Sequence, residues 1–335
     1  MERRKDIDQL RGLAILLMVM VHAAATWAPD DASTTTFLAL VVASLGGLAA
    51  PLFVTVGGWV TVHSSWTIQK ATIRFLYLMS AQFLVNICAP HLFDPFTPGV
   101  LSLFAILYLI APLWLRLARN TATLTISILV IGIANWIFLP GNSELLWADR
   151  IETTSFTEII QHLIISGTYP IFPWIFFSIL GAGLNIHSPS IQKMSGAIIC
   201  GMTVCISFLV ISMNNNTPFA QPVGNATLTF FPANTPFLIG AMTGVLIFWA
   251  LLEHRLPFRG LDRLGRLSLT LYVVHFIPLY FGSTLILPWE LAVPTVMLFT
   301  FLWWPISVLH QTKFPIYSLE YISQRLSRHG EERAP

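Results

Sequence analysis

Apolar residues run through this chain in stretches of about twenty, each closed by a short polar segment. The pattern predicts helices over residues 10–29, 36–63, 71–90, 98–118, 121–140, 165–184, 191–213, 234–253, 266–287 and 291–311. The second stretch is long enough to tilt or to break near Gly46-Gly47 or Pro51. No internal repeat or low-complexity linker divides the series, so residues 1–335 read as one domain. The expected architecture is an all-α polytopic integral membrane protein, a single bundle of about ten transmembrane helices. The first stretch lacks a small-residue cleavage site and reads as a signal anchor.

Charge gives the bundle a direction. Arg3-Arg4-Lys5, Lys70, Arg74, Arg116, Arg119, Lys193, Arg255, Arg259, Arg263 and Arg266 fall on one side, with Lys313, Arg325, Arg328 and Arg333 of the tail. Asp30, Asp31, Asp94, Glu144, Asp149, Glu152, Glu158 and Glu290 fall on the other. Of 18 Lys and Arg residues only Arg150 breaks the division. The positive-inside rule then predicts a multi-pass protein of the cell membrane with both termini cytoplasmic. The tail over 312–335 is basic and amphipathic, suited to the inner membrane surface. Residues 141–164, with an amphipathic run from Phe156 to Ile165, and residues 214–233, with sequons at Asn215 and Asn225, read as external loops.

Composition agrees. The chain is 55% hydrophobic and 10% charged, with mean hydropathy +0.71, against about 25% charged in soluble domains. A net charge of +2 spread over short loops gives no nucleic-acid surface. Cys88, Cys200 and Cys205 sit in apolar stretches without metal or redox spacing and read as packing residues.

The first helix carries the most chemistry. Arg11 and His22 are eleven residues apart, about three turns plus 20°, so they share a face about 16 Å apart. Met18 lies between them, Thr26 extends the stripe, and Asp8 can orient Arg11 through an i, i+3 pair. An arginine at a helix end also serves as a topology anchor, and an intramembrane histidine also serves as a hydrogen-bonded packing group. Their common face favours a functional stripe.

The run Asp8-Gln9-Leu10-Arg11-Gly12-Leu13-Ala14-Ile15-Leu16-Leu17-Met18-Val19-Met20-Val21-His22 resembles the opening helix of the transmembrane acyltransferases. That superfamily includes the acyltransferase-3 proteins and the heparan-alpha-glucosaminide N-acetyltransferase-like proteins. Three later segments resemble its motifs in the same order. They are Pro51 to Gly58, Tyr169-Pro170-Ile171-Phe172-Pro173-Trp174 followed by Gly181, and Leu264 to His275 with its Gly265, Ser268, Tyr272 and His275. The chain departs from acyltransferase-3 members in having only Lys70 and Arg74 at helix 3. It departs from the heparan-type enzymes in having no histidine over 27–36, which leaves His22 as the catalytic candidate.

The resemblance implies transfer of an acyl group, expected to be acetyl, from cytoplasmic acetyl-CoA. The implied acceptor is an amine or hydroxyl of a carbohydrate or glycolipid on the far side, and analogy with the heparan-type branch implies a homodimer. Arg11, Lys70 and Arg74 are the expected donor-binding cations, since a guanidinium fork matches phosphate. Arg259, Arg263 and Arg266 are weaker donor-binding candidates and read first as an ordinary positive-inside loop. In an apolar surround His22 is expected neutral, able to act as general base or to accept the acetyl group itself. Ser268, Tyr272 and His275, spaced four and three apart, share one face of their helix. With Trp174 they are the candidate acceptor-binding residues, although the same groups also join helices. His63 reads as interfacial. A transporter is the main alternative, but no matching repeats or broken helices are read from the sequence. No His-x3-His or comparable cluster suggests a metal.

Overall fold

The computed structural model describes residues 4–29, 37–138, 145–254 and 260–332. Arg3, Asp30, Asp31, Glu144, Arg255, Arg259 and Arg333 lie outside the described residues.

Helix α1 (Lys5–Trp27) begins with Asp6 and Asp8 in its first turn, the favourable sign for a helix N-terminus, and then runs uninterrupted. It is the centre of the bundle. Around it lie α2 (Phe37–Gly47), α3 (Ala49–Thr61), α12 (Thr235–His254), α13 (Leu261–Arg266), α14 (Ser268–Val274), α15 (Phe276–Phe281) and α16 (Trp289–Lys313). In the most apolar window of α1, 61% of residues are buried, against 6% in α7 (Thr121–Phe138) and 11% in α11 (Ile191–Asn214). Those two present Ile126, Leu129, Ile133, Ile199 and Ile206 outward, a surface suited to lipid rather than water. The remaining long helices are α4 (Ile68–Cys88), the pair α5 (Val100–Leu109) and α6 (Ala111–Ala118), and α10 (Ile171–His187).

Among the described residues seven helices are long and apolar enough to cross a membrane, or up to nine if each of two bent pairs counts as one span. Several of the expected stretches are interrupted at particular places. The 36–63 stretch divides at Leu48, next to the expected Gly46-Gly47 break. The 98–118 stretch bends by 82° between α5 and α6, where Pro112 opens α6. Carbonyls at that bend are taken up by indole N–H groups: Trp114 Nε1 donates to Leu107 O at 2.7 Å and Trp66 Nε1 to Tyr108 O at 3.1 Å. The 266–287 stretch is interrupted at Leu267 and His275. Pro278 supplies no amide and crowds the carbonyl four residues back, at Val274, where α14 ends.

Between α7 and α10 stand α8 (Trp147–Ile151), α9 (Phe156–Gln161) and a π-helical turn, His162–Ser166. Arg150, the charge-rule exception, is fully buried there and donates to Ser166 O at 3.0 Å. Burial pushes its pKa down to about 10. Its place reflects an internal tie rather than topology. Residues 214–233 contain a two-residue parallel pair, β1 (Ala220–Gln221) with β2 (Leu228–Thr229), in an otherwise helical chain. The tail helix α17 (Leu319–Glu332) packs on α4 and α14.

Candidate active site

Two helix seams position the site, and both are built from the motif glycines. Along α1 and α13, a Cβ on Gly265 would overlap Asp8 O and one on Gly12 would overlap Leu261 O. Along α3 and α10, a Cβ on Gly58 would overlap Ser178 O and one on Gly181 would overlap Thr55 O. The four sequence motifs thus pair as two backbone-to-backbone contacts. The first brings the opening helix against the segment leading to His275.

His22 is half-buried on α1, and His275 is fully buried at the break between α14 and α15. His22 Nδ1 lies 2.9 Å from His275 Nε2. Their rings are 8° from parallel with centroids 5.2 Å apart. With the nitrogens so close, that centroid spacing requires the contact to lie along the line joining the rings. They meet edge to edge in one plane, the arrangement of a straight hydrogen bond. His275 Nδ1 lies 2.9 Å from Leu271 O. Phe276 packs on both rings, with centroids 4.8 Å from His22 and 4.1 Å from His275, and Tyr272 lies edge-on to His275 at 6.2 Å. Thr26 Oγ1 donates to the His22 carbonyl at 2.8 Å, continuing the polar stripe of α1.

A second polar group lies three turns toward the start of α1. The Asp8 carboxylate is buried between two guanidiniums, with Arg11 Nη1 at 3.8 Å and Arg266 Nε at 3.5 Å. Arg266 Nη2 also reaches Asp262 at 3.0 Å. Arg266, read from the sequence as part of an ordinary basic loop, belongs to the same cluster as Arg11. The signal was present, since each arginine adjoins one of the seam glycines, Gly12 and Gly265.

The other expected site residues divide. Lys70 donates from Nζ to Ser65 Oγ at 2.8 Å, and the Arg74 guanidinium lies 4.3 Å above the Tyr108 ring. These cations sit on α4. Ser268 is buried at the first turn of α14, one helical turn before Tyr272. Trp174 is buried among Tyr169, Phe177, Phe230 and Phe237. His63 is exposed and contacts Asn185 at 2.7 Å. Among the described residues no group of three or more His, Cys, Asp or Glu side chains is placed to hold a metal ion.

A helical bundle with lipid-suited faces and a histidine pair at its centre defines a multi-pass membrane protein with a polar interior site. The chain belongs to the heparan-alpha-glucosaminide N-acetyltransferase family, whose catalytic region matches residues 3–196, more than half of its length. The match takes in Arg11 and His22 and gives the protein a membrane acetyltransferase-like function. Residues 184–311, which carry His275, match a second family described as a protein of unknown function, DUF418. No individual curated protein matches the chain.

Proposed function

We propose that this protein moves an acetyl group from acetyl-CoA to an amine or hydroxyl of a carbohydrate or glycolipid acceptor, with His22 as general base. The observation that carries the reading is the half-buried His22 ring on the central helix. It lies three turns from the Arg11–Asp8–Arg266 cluster, within the region matched to an acetyltransferase. The acceptor class follows from the glucosaminide in the family's description.

In this reading both termini are cytoplasmic, and the donor approaches from the end of the bundle that holds Arg11. Phosphate binding falls to Arg11 and Arg266, held in place by Asp8, and to Lys70 and Arg74. Arg74 has no acidic partner among the described residues, so its charge is not offset by a carboxylate. The pantetheine arm then follows α1 toward His22. The acceptor arrives from the opposite end, where Tyr272 and His275 border the ring. His22 takes the proton of the attacking amine or hydroxyl as the new bond to the acyl carbon forms. As the carbon–sulfur bond breaks, the proton passes to the departing thiolate, so CoA leaves as the thiol.

The test is CoA release by the purified full-length protein given acetyl-CoA and a panel of amino sugars and neutral sugars, with the product identified by mass. Release that depends on one class of acceptor is expected; no release with any member would overturn the reading. A second reading draws on the interrupted helices at Leu48, Ile110 and His275, a feature shared with solute carriers. Acceptor uptake into sealed vesicles without acetyl-CoA consumption would favour it.

A further inference from the structure

We infer that His275 is a positioning residue that dictates which ring nitrogen of His22 is free to accept a proton, and that this nitrogen is Nε2. The inference rests on the reading of His22 as the base, and refines it to one atom. The argument begins at a backbone carbonyl. Leu271 O can only accept, so the His275 Nδ1 lying 2.9 Å from it must carry a hydrogen. A neutral imidazole has one N–H, which leaves His275 Nε2 with a lone pair. That lone pair faces His22 Nδ1 at 2.9 Å, in the plane of both rings. His22 Nδ1 must therefore donate, and the remaining His22 nitrogen, Nε2, holds the exposed lone pair.

The chain of donors is thus Nδ1 of His275 to Leu271 O, and Nδ1 of His22 to Nε2 of His275. Its anchor is main chain, so no side-chain rearrangement within α14 reverses it. Phe276 against both rings and Tyr272 at the edge of His275 restrict ring rotation. Burial separates the roles: His275 is enclosed, while His22 retains contact with the surface from which a substrate arrives.

The same arrangement serves the charged intermediate. When the acceptor's proton moves to His22 Nε2, the ring becomes an imidazolium whose Nδ1–H still points at His275. That bond becomes charge-assisted and shorter, which stabilises the ion as it forms. Proton return from Nε2 to the thiolate restores the starting tautomers with no net change at His275. His275 touches neither reacting group in this scheme and acts only through His22. It is thereby moved from the acceptor-binding role expected from sequence.

The experiment uses the full chain in detergent micelles with two independent readouts. Ring ¹⁵N NMR of histidine-labelled protein, with the His22 signals assigned by their loss in His22→Asn, is expected to show the hydrogen on Nδ1. Finding it on Nε2 in the unmutated protein would overturn the inference whatever the kinetics. His275→Phe is expected to lower kcat about a hundredfold, with KM for acetyl-CoA within about twofold of the parent. His275→Gln, whose amide oxygen can accept from His22 Nδ1, is expected to recover at least tenfold of that loss. Parental turnover in His275→Phe, or a Gln variant no better than Phe, also counts against it. Undiminished turnover in His22→Ala would instead remove the base assignment, a separate failure from a wrong tautomer.

Discussion

Arg266 of α13 reaches Asp8 of α1 across a seam with no room for a side chain, Nε to Oδ2 at 3.5 Å, beside a Gly265 whose Cβ would overlap the Asp8 carbonyl. The close approach and the ion pair are one structure: if the helices separate by a methyl's width, the carboxylate no longer lies between Arg11 and Arg266. Gly265→Ala is therefore expected to destabilise the protein by about 2 kcal/mol or more, because the obstacle is main chain and cannot rotate away. Gly196→Ala is the control, since nothing lies within 4 Å of a Cβ there. Thermal unfolding in detergent should show a clear drop for the first and none for the second. Equal midpoints would mean that the seam opens freely.

The Asp8 carboxylate is 3% exposed while its arginine partners are partly open to solvent. Partial exposure weakens the pairs, so each is assigned only about 1 kcal/mol. Asp8→Asn removes the anion between the two guanidiniums, and Arg266→Gln removes one of the cations that face the buried acid. A double-mutant cycle on unfolding is expected to give a coupling of about 1 kcal/mol, the double variant losing less than the sum. Strict additivity would mean that the two residues do not interact.

How much of this was open to a reader of the chain depends on distance along it. The phase of Arg11 and His22 on α1 is local arithmetic, and both residues stand where the helical period puts them. Arg266 was masked by composition: one more basic residue in a basic loop stands out only through its neighbour Gly265, which matches the Arg11–Gly12 pair. The contact between His22 and His275 joins residues 253 apart, and no periodicity encodes it. The interruptions were hidden for another reason. Ile110 and His275 sit inside continuous apolar runs, where hydropathy is blind to Pro112 and Pro278. Proline is tolerated in membrane helices often enough that its presence alone does not mark a break.

Donor recognition predicts a division between affinity and rate. Arg11→Ala and Arg74→Ala are each expected to raise KM for acetyl-CoA about tenfold, with kcat changed far less, as for groups that hold phosphate equally in ground and transition states. Arg74→Lys keeps the charge but loses the planar contact with Tyr108, and should fall between parent and Ala. Steady-state kinetics over a range of acetyl-CoA concentrations would check this. An unchanged KM in both Ala variants would remove these arginines from the donor site.

His22→Ala predicts the opposite pattern. The variant retains the cation cluster and is expected to bind CoA with parental affinity in calorimetry. It should lose about a hundredfold or more in turnover, the contribution typical of a positioned general base. Loss of CoA binding together with turnover would point to a packing role for the ring instead.

The tail reaches the site through Glu320. Its Oε1 accepts from the Leu269 amide at 2.6 Å and from the Thr270 amide at 3.2 Å, and its Oε2 accepts from the Thr270 hydroxyl at 2.6 Å. That hydroxyl accepts from the Leu319 amide at 2.9 Å, and Tyr77 of α4 donates to the Leu319 carbonyl at 2.6 Å. The carboxylate thus supplies acceptors for the opening amides of α14, which have no partner within the helix. A negative group at that end also matches the helix dipole. Because α14 ends at His275, loosening its first turn should be felt at the histidine pair. Glu320→Ala removes three hydrogen bonds and is expected to cost about 2 kcal/mol in stability. Amide hydrogen exchange should accelerate over 268–275 and 319–326, with little change in α11 on the far side of the bundle. Turnover should fall as the histidine pair loosens. Glu320→Gln keeps one acceptor oxygen and should show a milder form of the same effects. Parental exchange at Leu269 and Thr270 in the Ala variant would sever the proposed connection between the tail and His275.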